Sequence, residues 1–190
     1  MNLAPKILAV LVVGTFVGLF GTWFTVFQGG MPGGVSDGPW TTNLAVGSPQ
    51  SDPYTRAKTA IHGLLALNRN ETIYYTATHD SDGRPLDGAC RYLITGRDPD
   101  TRWWSITAYG DDDFLIANPA NRYSVAMTTI ARDKTGAFTV QVGGLGDGSN
   151  WIPTASGRFS LTLRLYDPSP VVAIDPALAT LPSLKRVSCP

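Results

Sequence analysis

Residues 7–27 read ILAVLVVGTFVGLFGTWFTVF, an apolar run with no charged side chain. About 20 apolar residues rising 1.5 Å each cover the roughly 30 Å hydrocarbon of a bilayer. A lipid-exposed segment must also satisfy its own backbone, so the run predicts a single transmembrane helix. Downstream the period changes. Ala57, Ala60, Ile61, Leu64 and Leu65 recur at helical spacing behind a capping Asp52 and a first-turn Pro53, predicting one amphipathic helix that ends near Asn68. Beyond it the chain alternates: Phe159, Leu161, Leu163 and Leu165 stand against Ser160, Thr162, Arg164 and Tyr166, one face apolar and the other polar. Strands are expected over 72–79, 90–95, 103–109, 123–130, 138–142 and 159–166. Asp82-Gly83, Asp87-Gly88, Asn118-Pro119, Lys134-Thr135-Gly136 and the glycine-rich stretch 143–148 supply the turns between them. Short strands at this spacing with one early helix predict a mainly β fold, a jelly-roll-like antiparallel β-sandwich.

This pattern divides the chain into an amino-terminal segment 1–6, an anchor 7–27, a linker 28–50 rich in Gly, Pro, Ser and Thr, and a domain 51–190 large enough to bury a core. A cleaved signal peptide competes with the anchor, since Lys6 and the amino terminus form a basic head. Signal-peptide cores usually span about 7–15 residues and end in a small-x-small site. Here the core continues through Trp23, Phe24 and Phe27, and the anchor is the preferred reading. Lys6 before the span, with Asp37 the first charge after it, places the amino end in the cytoplasm and the domain outside. Gly14 and Gly18 form a GxxxG pair of the kind that lets two helices approach, although a glycine-tolerant span is the preferred account of it.

Composition narrows the classes. Fifteen Lys and Arg balance fifteen Asp and Glu, with no basic block, so there is no electrostatic footprint for nucleic acid. Glu71 is the only glutamate; Asp favours turns and Glu favours helices, in keeping with a strand-rich fold. Cys90 and Cys189 face an oxidising compartment in this orientation, and both a bridge tying the tail to an early strand and two free thiols are open.

No motif names a reaction. With only His62 and His79, the histidine supply is thin for a zinc or cupin-like iron site. Asp80, Asp82 and Asp87 offer oxygens to a hard cation, but a hairpin turn explains them without metal, so no metal or other cofactor is expected. Asp111-Asp112-Asp113 reads as a solvated turn, and the glycines of 143–148 as a flexible connection with no helix behind them for a phosphate cradle. Strand alternation is more informative: it puts Trp103, Ser105, Thr107 and Tyr109 on one face of their strand, and Arg164 and Tyr166 also share a face. Trp103, Tyr109, Arg164 and Tyr166 suit a sugar or small polar ligand, with rings for stacking and Arg for a carboxylate. A satisfied buried network accounts for the same residues and is the preferred reading of them.

The ordered series Asp80-Ser81-Asp82-Gly83-Arg84-Pro85-Leu86-Asp87-Gly88, Arg91-Tyr92, Trp104-Ser105-Ile106-Thr107-Ala108-Tyr109, Asn118-Pro119, Arg122-Tyr123-Ser124, Asn150-Trp151-Ile152-Pro153, Phe159 and Leu163-Arg164-Leu165-Tyr166 resembles the family called domain of unknown function 1214. The resemblance covers about 52–185 and implies a jelly-roll-like sandwich without an established reaction. In that family the domain often follows a companion, domain of unknown function 1254, in one longer chain; here an anchor stands in the companion's place. The expectation is therefore a protein of the bacterial inner membrane, amino end cytoplasmic and domain periplasmic, that docks on a companion envelope protein. A module binding or processing a carbohydrate or small polar ligand is the second reading. The third is an accessory subunit of a membrane complex, contacting it through the span.

Overall fold

The computed structural model describes residues 3–28, 34–62, 66–144, 146 and 148–190. Helix α1 (Leu3–Trp23) runs on through a wider π turn, Phe24–Gln28. Together Leu3–Phe27 form one helix of 25 residues, long and apolar enough to cross a membrane, whose most apolar 18 residues have a mean hydropathy of 2.2 and are not buried in the protein.

Helix α2 (Pro53–Ile61) starts where expected. The Asp52 carboxylate accepts from the amides of Tyr54 and Thr55 and from the Thr55 hydroxyl, and Pro53 follows it. These bonds, the Thr55 hydroxyl first, hold the Asp52 carboxyl below its usual range. The helix ends at Ile61, with His62 as C-cap, and residues 66–68 are not helical. Its packed side carries Thr55 and Lys58, whereas Ile61 is exposed, so the expected apolar face is not the buried one. Leu64 and Leu65, the remainder of that face, lie outside the described residues.

The described residues form ten strands, two of them ahead of α2. Six form one sheet: β1 (Val35–Asp37), β2 (Trp40–Thr42), β3 (Thr72–Ala77), β5 (Thr101–Gly110), β6 (Ser124–Ala126) and β9 (Phe159–Pro168), in the order β1-β2-β3-β9-β5-β6. The other four, β4 (Arg91–Gly96), β7 (Phe138–Val142), β8 (Trp151–Ile152) and β10 (Ser183–Ser188), form a second in the order β10-β4-β7-β8. A short helix α3 (Pro170–Ile174), capped by Ser169, leads from β9 toward β10.

Alternation decides which side of each strand is buried. Tyr75, Leu163 and Ile106 lie opposite one another across β3, β9 and β5. Their row, with Ile73, Ala77, Leu161, Leu165, Trp104 and Ala108, packs with Tyr92, Ile94, Phe138, Val140, Val142 and Leu184 of the second sheet in one core. The rings of Trp104 and Phe138 meet across the layers at 4.9 Å. Tyr75 points its hydroxyl out of this core to the Pro176 carbonyl at 2.8 Å, and burial, reinforced by the charges of Asp37 and Asp175, pushes its phenol above the ordinary range.

Four features depart from expectation. Strands β1 and β2 lie inside the segment 28–50 that composition assigns to a linker; Trp40 is fully buried and donates through Nε1 to the Pro182 carbonyl at 2.6 Å. The strand expected over 123–130 is only Ser124–Ala126, because the chain then turns as Thr129 and Ile130 donate back to the Ala126 carbonyl. Strands β8 and β10 were not expected at all, and β8 runs parallel to β7, so the pairing is not wholly antiparallel. The glycine-rich connection is held at its described positions: Arg122 Nη1 donates to the Gly148 carbonyl at 2.6 Å, and Trp151 Nε1 to the Gly143 carbonyl at 2.9 Å. Leu145 and Asp147 lie outside the described residues.

Cys90 and Cys189 form a disulfide, so the bridged alternative is the one realised. It clamps the end of β10 to the start of β4, where Ser188 pairs with Arg91.

Candidate functional site

The face of the six-stranded sheet turned away from the core is polar, and the strand register arranges it in rows. Thr41, Thr76, Thr162, Thr107 and Ser124 lie side by side across β2, β3, β9, β5 and β6, a line of hydroxyl residues spanning five strands. One step along lie Tyr74, Arg164 and Ser105; a further step brings Thr72, Tyr166 and Trp103 together. On the opposite side Tyr109 lies across from Ser160. Period-two geometry sends all of these to one side.

A cleft of about 1250 Å³ lies over this face. Tyr74, Thr76, Ser160, Thr162, Arg164, Tyr166 and Tyr109 line its sheet side, and Asn43, Val46 and Leu67 line it from the segments flanking α2. The Leu67 amide donates to the Tyr74 hydroxyl at 3.1 Å, holding that flank to the floor. At the rim His62 Nδ1 sits 2.7 Å from Asp113 Oδ2, joining the C-cap of α2 to the turn after β5. Asp113 reaches this position with a backbone φ of 63°, the left-handed conformation that Asp tolerates better than most residues.

Arg164 occupies the floor. Its Nη1 donates to Thr107 Oγ1 at 3.2 Å and its Nη2 to the Tyr109 hydroxyl at 2.7 Å. The guanidinium carbon lies 5.4 Å from the Tyr109 ring centroid and 5.9 Å from that of Tyr74, within cation–π range of both. Trp103 packs against Tyr166 at a tilt, with ring planes 59° and centroids 5.1 Å apart. Of the four residues that alternation nominates, Tyr109, Arg164 and Tyr166 line the cleft, while Trp103 stands beside it and supports Tyr166.

The acidic candidates are engaged elsewhere. Buried Asp80 accepts the amides of Asp82 and Arg84 on Oδ1, and Arg186 Nε lies 3.1 Å from its Oδ2, off the line of a formed hydrogen bond. Asp82 is 3.5 Å from Arg84, and Asp87 accepts the Ala89 amide. Among the described residues no three His, Cys, Asp or Glu side chains are grouped to hold a metal ion.

Tyr74, Thr76, His62, Asp113 and His79 also line the cleft without having been nominated for it from the sequence. Tyr74 and Thr76 carried a legible signal, the alternation of β3. His62 and Asp113 are 51 residues apart, and no local pattern joins them.

A family model described as a protein of unknown function (DUF1214) matches residues 71–170. Among solved structures, the VPA0106 protein from Vibrio parahaemolyticus is similar with a TM-score of 0.63 and 23% identity, over 99% of this chain and 47% of that one. An uncharacterised protein from Burkholderia cenocepacia aligns with a TM-score of 0.41 and 13% identity, over 87% of this chain and 38% of that one. This chain thus spans less than half the length of each. No curated protein matches.

Proposed function

We propose, from the premise that the chain belongs to the DUF1214 family of proteins of unknown function, that it is a membrane-anchored module binding a small, hydroxyl-rich polar ligand of the carbohydrate class. The observation that carries this is the floor of the cleft, where a line of hydroxyl residues runs beside a guanidinium held between two tyrosines. Hydroxyls offer donors and acceptors to a polyol, and aromatic rings take its C–H faces. The reading treats the two sheets as a jelly-roll-like sandwich, supported by antiparallel pairing at every strand contact except β7 with β8.

It also places the domain outside a bacterial inner membrane, in the periplasm. Three features support that placement: the apolar helix, Lys6 in its first turn, and a disulfide of the kind that persists in oxidising compartments. Thermal unfolding of the detergent-solubilised full chain against a broad panel of glycans and metabolites tests the binding role. A ligand that binds the folded state raises the melting temperature with concentration; a panel that never does so defeats the reading.

A second reading, docking on a companion domain of the domain of unknown function 1254 type, is favoured by one observation: this chain covers 47% of the Vibrio protein. A membrane tether would hold two separate halves at high effective concentration, as covalent fusion does. Cross-linking in native membranes should recover a protein resembling that companion, and recovery of this chain alone counts against docking.

A further inference from the structure

We infer that the ligand of the cleft is anionic, a sugar acid whose carboxylate is bound by Arg164; this rests on the reading of the cleft as a carbohydrate site. Arginines elsewhere in this fold have carbonyl or anionic acceptors: partly buried Arg122 donates through Nη1 to the Gly148 and Ser149 carbonyls. Arg132 donates to both oxygens of Asp98 at 2.9 and 2.7 Å, and Arg186 lies 3.1 Å from Asp80. Arg164, also partly buried, has no carboxylate within ion-pair distance among the described residues. Its hydrogen-bond acceptors are the neutral hydroxyls of Thr107 and Tyr109.

A guanidinium carries five N–H donors and stays charged throughout the biological pH range. The bonds to Thr107 and Tyr109 use one N–H on each terminal nitrogen. The Nε–H and the second N–H of each terminal nitrogen have no protein acceptor among the described residues. Tyr74 and Tyr109 restrain the plane of the group, so its remaining donors are oriented before a ligand arrives. A cation withdrawn from water without a counter-charge is costly, and a planar carboxylate meeting a guanidinium in paired hydrogen bonds removes that cost.

The neighbours decide what else the ligand carries. Thr76 and Thr162 lie one register row from Arg164, and Ser160 lies beyond Thr162 on the same strand. A carboxylate on Arg164 therefore places the rest of the molecule over hydroxyls, which suits a polyhydroxylated ring. Arg158 adds a second positive group to the lining, and Asp111 a carboxylate. On the other flank Asp113 is engaged by His62.

Titration calorimetry on the detergent-solubilised full chain tests this with D-glucuronate and D-galacturonate against D-glucose and D-galactose, and with inorganic phosphate as a separate arm. The expected result is at least tenfold tighter binding of a uronate than of its neutral counterpart, and loss of that preference in Arg164→Gln. Arg164→Lys keeps the charge without the paired donors and should retain only part of the preference. Equal binding of acid and neutral sugar overturns the anionic inference and leaves the carbohydrate site standing; tighter binding of phosphate overturns the carboxylate. If no sugar binds, acid or neutral, both fall. The comparison of ligands on the unaltered protein decides the matter even if a variant does not fold.

Discussion

Tyr109 both accepts a 2.7 Å hydrogen bond from Arg164 Nη2 and sets its ring centroid 5.4 Å from the same guanidinium carbon, so one side chain holds the cation through its hydroxyl and its ring. The two residues come from neighbouring strands 55 positions apart. Tyr109→Phe keeps the ring and deletes the acceptor. It is expected to lower stability by about 1 kcal/mol, as loss of a partly exposed hydrogen bond does. Urea unfolding of the solubilised chain measures the difference; an unchanged midpoint would show that Arg164 finds an equivalent acceptor.

The disulfide closes a loop of 99 residues. In the chain-entropy picture a loop of that size restricts the unfolded ensemble by about 4 kcal/mol. Replacing Cys90 and Cys189 together with Ser should approach that loss, and guanidinium unfolding of the double variant gives its size. Freed from the clamp, β10 should also become the first part of the second sheet to exchange its amide protons, which hydrogen exchange reads directly.

Acid should weaken the link between Asp98 and Arg132. Desolvation raises the Asp98 pKa, but hydrogen bonds from Arg132 and from Trp104 Nε1, with the Arg132 charge, outweigh it and hold the carboxyl below its usual range. A carboxylate lowered in the folded state contributes stability above its unfolded pKa, near 3.9, and loses it as pH falls through the folded value. Asp98→Asn should therefore cost about 1 kcal/mol at neutral pH, discounted for solvent screening. The difference from the unaltered protein should shrink below about pH 4. Unfolding followed from pH 7 to pH 2 checks the sign; a gap that widens in acid contradicts it.

Thr72 offers a test of the opposite sign. Its hydroxyl is buried on the cleft side of β3 and has no hydrogen-bond partner among the described residues. Thr72→Val keeps the branched shape and removes the uncompensated oxygen, so it is expected to stabilise the domain by about 1 kcal/mol. A fall in the melting temperature would mean that the hydroxyl has an acceptor.

Local order was legible, and neighbours were not. The period of β9 announced that Leu161, Leu163 and Leu165 face a core and that Thr162, Arg164 and Tyr166 face away, because alternation is a property of one strand. Arg164 and Tyr109 could be nominated for the same reason. Their contact could not, since it depends on β5 and β9 being paired with Ser105 opposite Arg164. Trp40 was hidden in another way. Three strand residues in a stretch rich in Gly and Pro leave too short a period to distinguish a strand from a linker, and only the pairing of Thr41 with Thr76 carries the sheet into that segment.

By itself the sequence determined a helix of membrane-crossing length, the cap of α2, the β class of the domain, the sidedness of its longest strands and the family. All of these rest on hydropathy, spacing and motifs read along the chain. Tertiary structure alone decided that Thr41, Thr76, Thr162, Thr107 and Ser124 make one row, that His62 reaches Asp113, and that Arg164 lies between two tyrosines with no acid beside it among the described residues. Hydrogen-bond register between distant strands sets those distances, and a shift of one residue in either partner would turn the same side chains to the opposite face.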